Sequence, residues 1–564
     1  MIQTLLLEKG NRPSKAVKQW LAFAPQLFEH RALMMDKRKG TWFVRNANFD
    51  ILYRDGKACV AFEKLDLVVV DRRDSLQIIQ TAGTYCPITK KWQGEGGKVY
   101  WKQAEMEGVY CLLKDYQLEL KKRAYVIQGA ELYHPVLFPG QAITGRLENK
   151  ITSSNKKSAE GYPRFQSTEK VLEINNIGEK VKCIGGFRLH GATYFAYGDA
   201  HQKAAIEILN EQNTCVFRAR STNFKIRQGE RISGEQVEAT LFYGQDSISH
   251  PSVNLKYDLL ARQIDLFRGK RGSDRSPFYD SYHQVNIDTD KLNWDLATGL
   301  IQINEKHAKF GNGNQRVSFE SLEYFDIQTY RKFQNVANNN PIATLKLLVE
   351  QEQTKVFSAH QLAKKLNPNF EIDNIKSLLY DLLAQGFIEY DAARELVIVK
   401  DKTLHFADAS QKKKDFDLIK YVSISDQTNA LLDINSQEIV ARNVGLVEFS
   451  NRQKVAAKPF MGDLTLEKDR NVRFSGKLFA GLATLNGKDF HFQYQQNQIQ
   501  VDSLRYFDLY LPTGKLVNGE MEAQSIASRI EHTNGVLLID VPGNKSGLQD
   551  IPLFPSFNTQ GPAY

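Results

Sequence analysis

Asp246-Ser247-Ile248-Ser249-His250-Pro251 sets a carboxylate, two hydroxyls and an imidazole within six residues, the groups a nucleophilic triad needs. A triad is a three-dimensional geometry, however, and an extended chain sends adjacent side chains to opposite faces. Asp246, Ile248 and His250 would share one face, Ser247 and Ser249 the other. The expected use is a turn or a strand end. Gly94-Glu95-Gly96-Gly97 and Gly311-Asn312-Gly313-Asn314 have the composition of phosphate loops. A phosphate loop needs a helix N-terminus behind it to supply amides and dipole. A strand follows the first, and the second fails the same test, so both are expected to be turns.

The 11 histidines include no HxH or HExxH spacing. His283 lies near Asp280, Tyr282 and Asp288, a grouping thin for a metal site. Arg262, Arg268, Arg271 and Arg275 are the local cations, the last three in a glycine-containing loop before Pro277-Phe278. That loop is expected to be solvated, with at most weak affinity for an anion. The five cysteines, Cys59, Cys86, Cys111, Cys183 and Cys215, all lie in the first 215 residues and form no CxxC pair. An odd count without metal spacing leads to an expectation of buried, unpaired thiols.

These groups must be positioned by a chain of 564 residues, enough for about three to five folded units. Hydrophobic residues at 42% and charged residues at 25% exclude a disordered or collagen-like chain. Aromatics at 11% favour half-buried strands. A net charge of +9 is mild over this length and supports only a weak preference for anionic surfaces. Lys412-Lys413-Lys414 reads as a solvated loop. No apolar run approaches the roughly 18 residues that span a membrane. Met1 to Lys9 does not read as a signal peptide. The ending, Phe554 to Tyr564, suggests an internal portion of a longer chain, with any export signal upstream.

Ser14 to Lys37 has a helical stripe of Val17, Trp20, Leu21, Ala24, Leu27 and Phe28, with a kink or boundary expected at Pro25. From Thr41 the period becomes two. Phe49, Ile51 and Tyr53 lead to an Asp55-Gly56 turn and a return strand through Val60 and Phe62. Gly96-Gly97 and Gly185-Gly186 are expected to start strands. Val472, Phe474 and Leu478 share one parity, and Asn486-Gly487 is expected to turn the chain into Phe490, Phe492 and Tyr494. Short strands joined by Gly, Asn and Asp turns point to a sandwich, barrel or stacked repeat, and away from a parallel α/β sheet.

Between Asn338 and Phe406 the period turns helical. Asn340-Pro341, Ser358 and Asp373 are expected to begin three helices, the third ending at Gly386. Phe387 to Tyr390 and Leu396 to Val399 then form a hairpin. This order is winged-helix-like. The third helix carries Asn374, Lys376 and Ser377 against Asp373, Asp381 and Glu371, too little positive charge to favour nucleic acid.

The segments GGFRLHG (Gly185 to Gly191), DSISHP (Asp246 to Pro251), PFYDSYH (Pro277 to His283) and GFIEY (Gly386 to Tyr390) resemble a family of very large uncharacterised β-repeat proteins of Bacteroidota. The resemblance covers essentially the whole chain and implies no activity or catalytic residue. A second likeness is to lipopolysaccharide-transport and AsmA-like proteins of β-jellyroll or β-taco form. It would make Phe474, Leu478, Phe490, Phe492 and Tyr494 the lining of an apolar groove for acyl chains; the competing expectation is that they fill a sandwich core.

The sequence thus predicts a mainly β protein of stacked antiparallel units, with a helical lead-in at 1–40, β-repeat regions at 41–337 and 407–564, the second truncated at its end, and the winged-helix-like insertion at 338–406. The expected role is structural or lipid-handling, non-enzymatic, in the cell envelope or periplasm, with a lipid or envelope protein as partner, no cofactor and no transmembrane segment. The alternatives are a hydrolytic or carbohydrate-active enzyme with two carboxylates in one cleft, binding of nucleic acid or protein through the insertion, and a cytoplasmic location.

Overall fold

The computed structural model describes residues 15–36, 40–54, 57–71, 74–151, 161–304, 315–335, 339–517 and 520–560. The expected turns at Asp55-Gly56 and at 311–314 lie outside them. Strand makes up 54% of the chain and helix 15%, so the protein is mainly β, and its sheets are antiparallel. Two compact units form, Met1–Asn213 with Arg220–Ile232, and Thr214–Ala219 with Ser233–Tyr564.

The first unit opens with helix α1, Lys15–His30. Val17, Trp20, Phe23 and Leu27 are its buried stripe, with the Phe23 ring tilted against Tyr85, centres 5.5 Å apart. Leu21 and Phe28, expected inside, are exposed. The helix passes through Pro25 and ends seven residues before Lys37, because Arg31 takes a left-handed φ of 53° and the strand Ala32–Asp36 begins at once. The long strands Lys57–Asp71 and Asp74–Cys86 then pair, Val60 opposite Tyr85. That register puts Cys59 opposite Cys86 with Cα atoms 4.4 Å apart, and the two form a disulfide. The expectation of five unpaired thiols is corrected here. A pairing across neighbouring strands depends on register, which spacing does not reveal. Cys111, Cys183 and Cys215 are free.

Gly185 and Gly186 do not start a strand. They sit inside Val181–His190. The Tyr197 ring lies over Gly186, where any Cβ would come within 2.5 Å of its carbons.

In the second unit the strand Val472–Ala480 alternates as expected, with Val472, Phe474, Leu478 and Ala480 inward. It pairs with Ala483–Gln493, Phe474 opposite Phe490 and Val472 opposite Phe492. The expected Asn486-Gly487 turn is corrected. The chain reverses between Ala480 and Ala483, and Asn486-Gly487 lies within the return strand at a register shift. Gly487 is needed there for room, since a Cβ would come within 2.3 Å of the Ser503 carbonyl oxygen.

The helical region holds α2 Ile327–Lys332, α3 Pro341–Glu352, α4 Ala359–Leu366, α5 Ile372–Ala384 and α6 Asp401–Ser410. A short strand, Val356–Ser358, precedes α4 and completes a three-stranded sheet with Ile388–Asp391 and Leu396–Val399. Asn340 caps α3 with Pro341 in its first turn, and Ser358 caps α4 in a box with Gln361. The expected Asp373 cap is corrected: Glu371 forms the box with Asn374, one residue before the helix begins. Gly386 ends α5 at φ +75°. Leu345, Leu362, Ile375, Leu379 and Leu382 form the core, and Phe325, Phe333, Ala407 and Ala409 share it, beyond the expected limits of 338–406. No described helix is long and apolar enough to cross a membrane.

Candidate functional site

A gathering of ionisable groups in the second unit surrounds Tyr494, one residue beyond the strand Ala483–Gln493. Its hydroxyl lies 2.7 Å from Glu323 Oε2 and 2.7 Å from Asp417 Oδ2. The Ser321 hydroxyl donates to the same Asp417 oxygen at 2.6 Å, and the Ile419 amide to the other at 2.9 Å. The Arg470 guanidinium stands 3.8 Å from the centre of the Tyr494 ring and 3.6 Å from Glu323 Oε2. Lys545 is 4.6 Å from that ring. His405 of α6 reaches the Glu323 carbonyl through Nε2 at 2.8 Å.

Burial governs the electrostatics. It pushes the Tyr494 hydroxyl far above its ordinary value, helped by the neighbouring Asp417 charge. It raises the Asp417 carboxyl despite the hydrogen bonds from Ser321 and Tyr494. Burial would raise Glu323 too, but the Tyr494 hydrogen bond and nearby cations, Arg470 first, outweigh it and hold that carboxyl low. One hydroxyl proton cannot satisfy two ionised carboxylates at once. The arrangement therefore fits a proton shared between Asp417 and Tyr494 beside an ionised Glu323. The chemistry this permits is proton storage and the fastening of distant segments.

The five residues proposed to line a groove are exposed by 3% or less. Phe474 and Phe490 are 5.3 Å apart, Phe449 and Phe492 4.6 Å, and Phe492 and Tyr494 6.2 Å between ring centres. Their side chains meet one another and the polar cluster.

The other sequence candidates are spread elsewhere. Asp246 to Pro251 opens the strand Asp246–Asp258, so Asp246 sits at a strand end as expected and the segment then runs on into the strand. His250 is buried, its Nε2 2.6 Å from the Ser276 carbonyl and its Nδ1 accepting the Ser252 amide at 3.0 Å. His283 pairs with Asp280 at 2.7 Å, and Tyr243 donates to the same carboxylate at 2.5 Å. Asp288 instead pairs with Arg268. Among the described residues, no three His, Cys, Asp or Glu side chains are placed to hold a metal. The expected turn at Gly94 to Gly97 is corrected in part: Gly94 and Glu95 end the strand Lys91–Glu95, and only Gly96-Gly97 link it to Lys98–Tyr100, the Gly96 amide bonding the Lys114 carbonyl.

The basic loop is engaged, contrary to its expected solvation. Ser273 bonds the Tyr390 carbonyl at 2.8 Å, and Arg275 lies 3.5 Å from Asp381 on α5.

The reading of the sequence missed Glu323, Asp417 and Arg470. Their partners lie dozens of residues away, and an acid between apolar neighbours, Leu322-Glu323-Tyr324 and Phe416-Asp417-Leu418, was the only trace. No protein-family model and no curated protein matches this chain.

Proposed function

We propose that this chain is a non-enzymatic structural protein of the cell envelope, with its β units serving as a scaffold. The carrying observation is the use made of Tyr494. Its hydroxyl and ring gather Glu323, Asp417, Arg470 and Lys545, side chains from separate parts of the second unit, into one buried knot. The Cys59–Cys86 bridge supports an oxidising compartment, because disulfides persist there and are rare in the reducing cytosol. The mutual packing of Phe474, Leu478, Phe490 and Phe492 favours a scaffold over a lipid carrier. We also propose kinship with the large β-repeat proteins of Bacteroidota that the chain resembles.

The helical region has the element order of a winged helix, and we read it as winged-helix-like. The contacts of Ser273 and Arg275 with its hairpin and α5 favour use within the protein over duplex DNA.

Two measurements test the proposal. Protein taken from its native cells under acid quench and alkylated should carry Cys59 and Cys86 joined; finding both alkylated would remove the envelope assignment. Native mass spectrometry should show no retained lipid. A stoichiometric lipid adduct would transfer the role to lipid handling.

A further inference from the structure

The strand Phe49–Arg54 lies at an edge of the first unit. Among the described residues it pairs only with Lys57–Asp71, in an unbroken register from Phe49 opposite Phe62 to Arg54 opposite Lys57. No other backbone bond of a described residue reaches it. Its inner neighbour is covered, with Ala58, Cys59, Val60 and Phe62 exposed by 4% or less. The edge strand is not: Ile51 is 37% exposed, Leu52 43% and Tyr53 50%. Ile51 and Tyr53 point to one face and Leu52 to the other, so the strand is apolar and open on both. It carries no proline, no lysine and no bulge, the devices that keep a free edge from pairing.

Cys59 and Cys86 stand 4.4 Å apart at Cα, the spacing of a non-hydrogen-bonded antiparallel pair. Cys59 therefore turns its amide and carbonyl away from Cys86, towards Leu52 opposite it. Leu52 bonds inwards, and the alternation leaves the amides and carbonyls of Ile51 and Tyr53 pointing out from the edge. A second copy of the strand, laid antiparallel with Leu52 opposite Leu52, matches that pattern. Each Ile51 then faces a Tyr53, and the pair exchanges both its hydrogen bonds. The two leucines, at a non-hydrogen-bonded pair, come closest. Asp50, which is exposed, falls opposite position 54, an arginine, at both ends of the contact. Other registers lose this match. Centred on Ile51, the pairing sets Asp50 against Leu52; centred on Tyr53, it sets Leu52 against Arg54.

We propose that two copies of this chain associate edge to edge through Phe49–Arg54, about a two-fold axis that passes beside Leu52 perpendicular to the sheet. The contact is isologous, the same strand serving both sides. Its charge match and its apolar match are both to itself, which is the reason for a second copy and not an unrelated strand as the occupant. The Cys59–Cys86 bridge ties down the strand beneath, so the edge is presented without further ordering. The inference does not rest on the scaffold reading or on the compartment.

Analytical ultracentrifugation of the full chain over a range of concentrations tests it, with circular dichroism to confirm that each variant is folded. A reversible dimer is expected. Leu52→Lys, at an exposed position, should weaken it by about tenfold or more, because it sets two ammonium groups against each other at the axis. Asp50→Arg should weaken it as well, by placing like charges opposite at both ends, and adding Arg54→Asp to the same chain should restore it. That recovery distinguishes self-pairing in this register from any other contact between copies. A monomer at every concentration, a dimer that Leu52→Lys leaves intact, or a folded double variant that stays dissociated would overturn the proposal. So would growth into larger oligomers, which an isologous contact does not build.

Discussion

Lys402 of α6 and Glu320 at the end of the strand Gln315–Ser321 form a 2.5 Å ion pair that fastens the helical region to the sheet beneath it. Lys420 joins from the neighbouring strand at 2.7 Å. Burial opposes ionisation of Glu320, but the two lysines outweigh it and bring its carboxyl down to about 2. A carboxyl lower in the folded than in the unfolded state stabilises above its unfolded value, and that contribution is lost as pH falls from about 4.5 towards 2. Glu320→Gln should leave the buried Lys402 ammonium without a counter-charge, its hydrogen bond to the Gln385 carbonyl remaining, costing about 3 kcal/mol at neutral pH, with the gap to wild type closing in acid. Urea unfolding across this range checks it, and a gap constant with pH would refute the assignment.

His250 should impose a second, separate acid sensitivity. Burial lowers its imidazole to about 3, with Arg268 and Lys400 adding to the effect against its hydrogen bonds. Below about 6.5 the unfolded chain takes up a proton that the folded protein refuses. Stability should therefore decline from about pH 6.5 downwards. His250→Gln, which can keep a donor and an acceptor in place, should flatten that part of the profile. An unchanged slope would show that another group titrates there.

Tyr494→Phe keeps the ring and removes the hydroxyl shared by Asp417 and Glu323. A loss of about 1–3 kcal/mol is expected for the buried acceptors left behind. The Asp417 carboxyl is raised in the folded state, so its contribution is present in acid and is lost as pH rises through the folded value. Asp417→Asn should accordingly gain on wild type between mildly acidic and neutral buffer. Thermal melts of both variants at two pH values decide the matter; wild-type stability for Tyr494→Phe would make the knot incidental.

The Cys59–Cys86 bridge closes a sequence separation of 27 residues. Its removal by Cys59→Ser with Cys86→Ser should cost about 3–4 kcal/mol on chain-entropy grounds. Burial pushes the Cys183 thiol up to about 12 and Cys111 well above its usual range, so both should resist alkylation in the native state. Rapid labelling of either would mean that their strands open easily.

Periodicity in the sequence was a sound guide wherever one sheet face is buried. Val472, Phe474 and Leu478 declared their side of the strand, and Asn340 and Ser358 declared their helices, because those signals are local. Asn486-Gly487 misled because a glycine placed for close approach of the Ser503 carbonyl looks, in sequence, the same as one placed for a turn. Leu21 and Phe28 misled because the helix buries only the stripe Val17, Trp20, Phe23 and Leu27, narrower than the apolar spacing allows. The Tyr494 knot was illegible for a different reason. Its members meet only after the sheet has closed, and no spacing along the chain encodes that meeting. Cys59 and Cys86 met the same obstacle, with the odd thiol count concealing a pair.

The knot also sets an order of events in biosynthesis. Glu323 and Tyr494 are separated by 171 residues, and Asp417 and Tyr494 by 77. At about 5–20 residues per second, the first acid leaves the ribosome about 10–35 seconds before the tyrosine that will receive it. Until then both carboxylates stay hydrated, and the helices and hairpin between them have time to complete their own core. The last strands arrive onto a finished platform and seal it, so the second unit closes only when its final strands have been made.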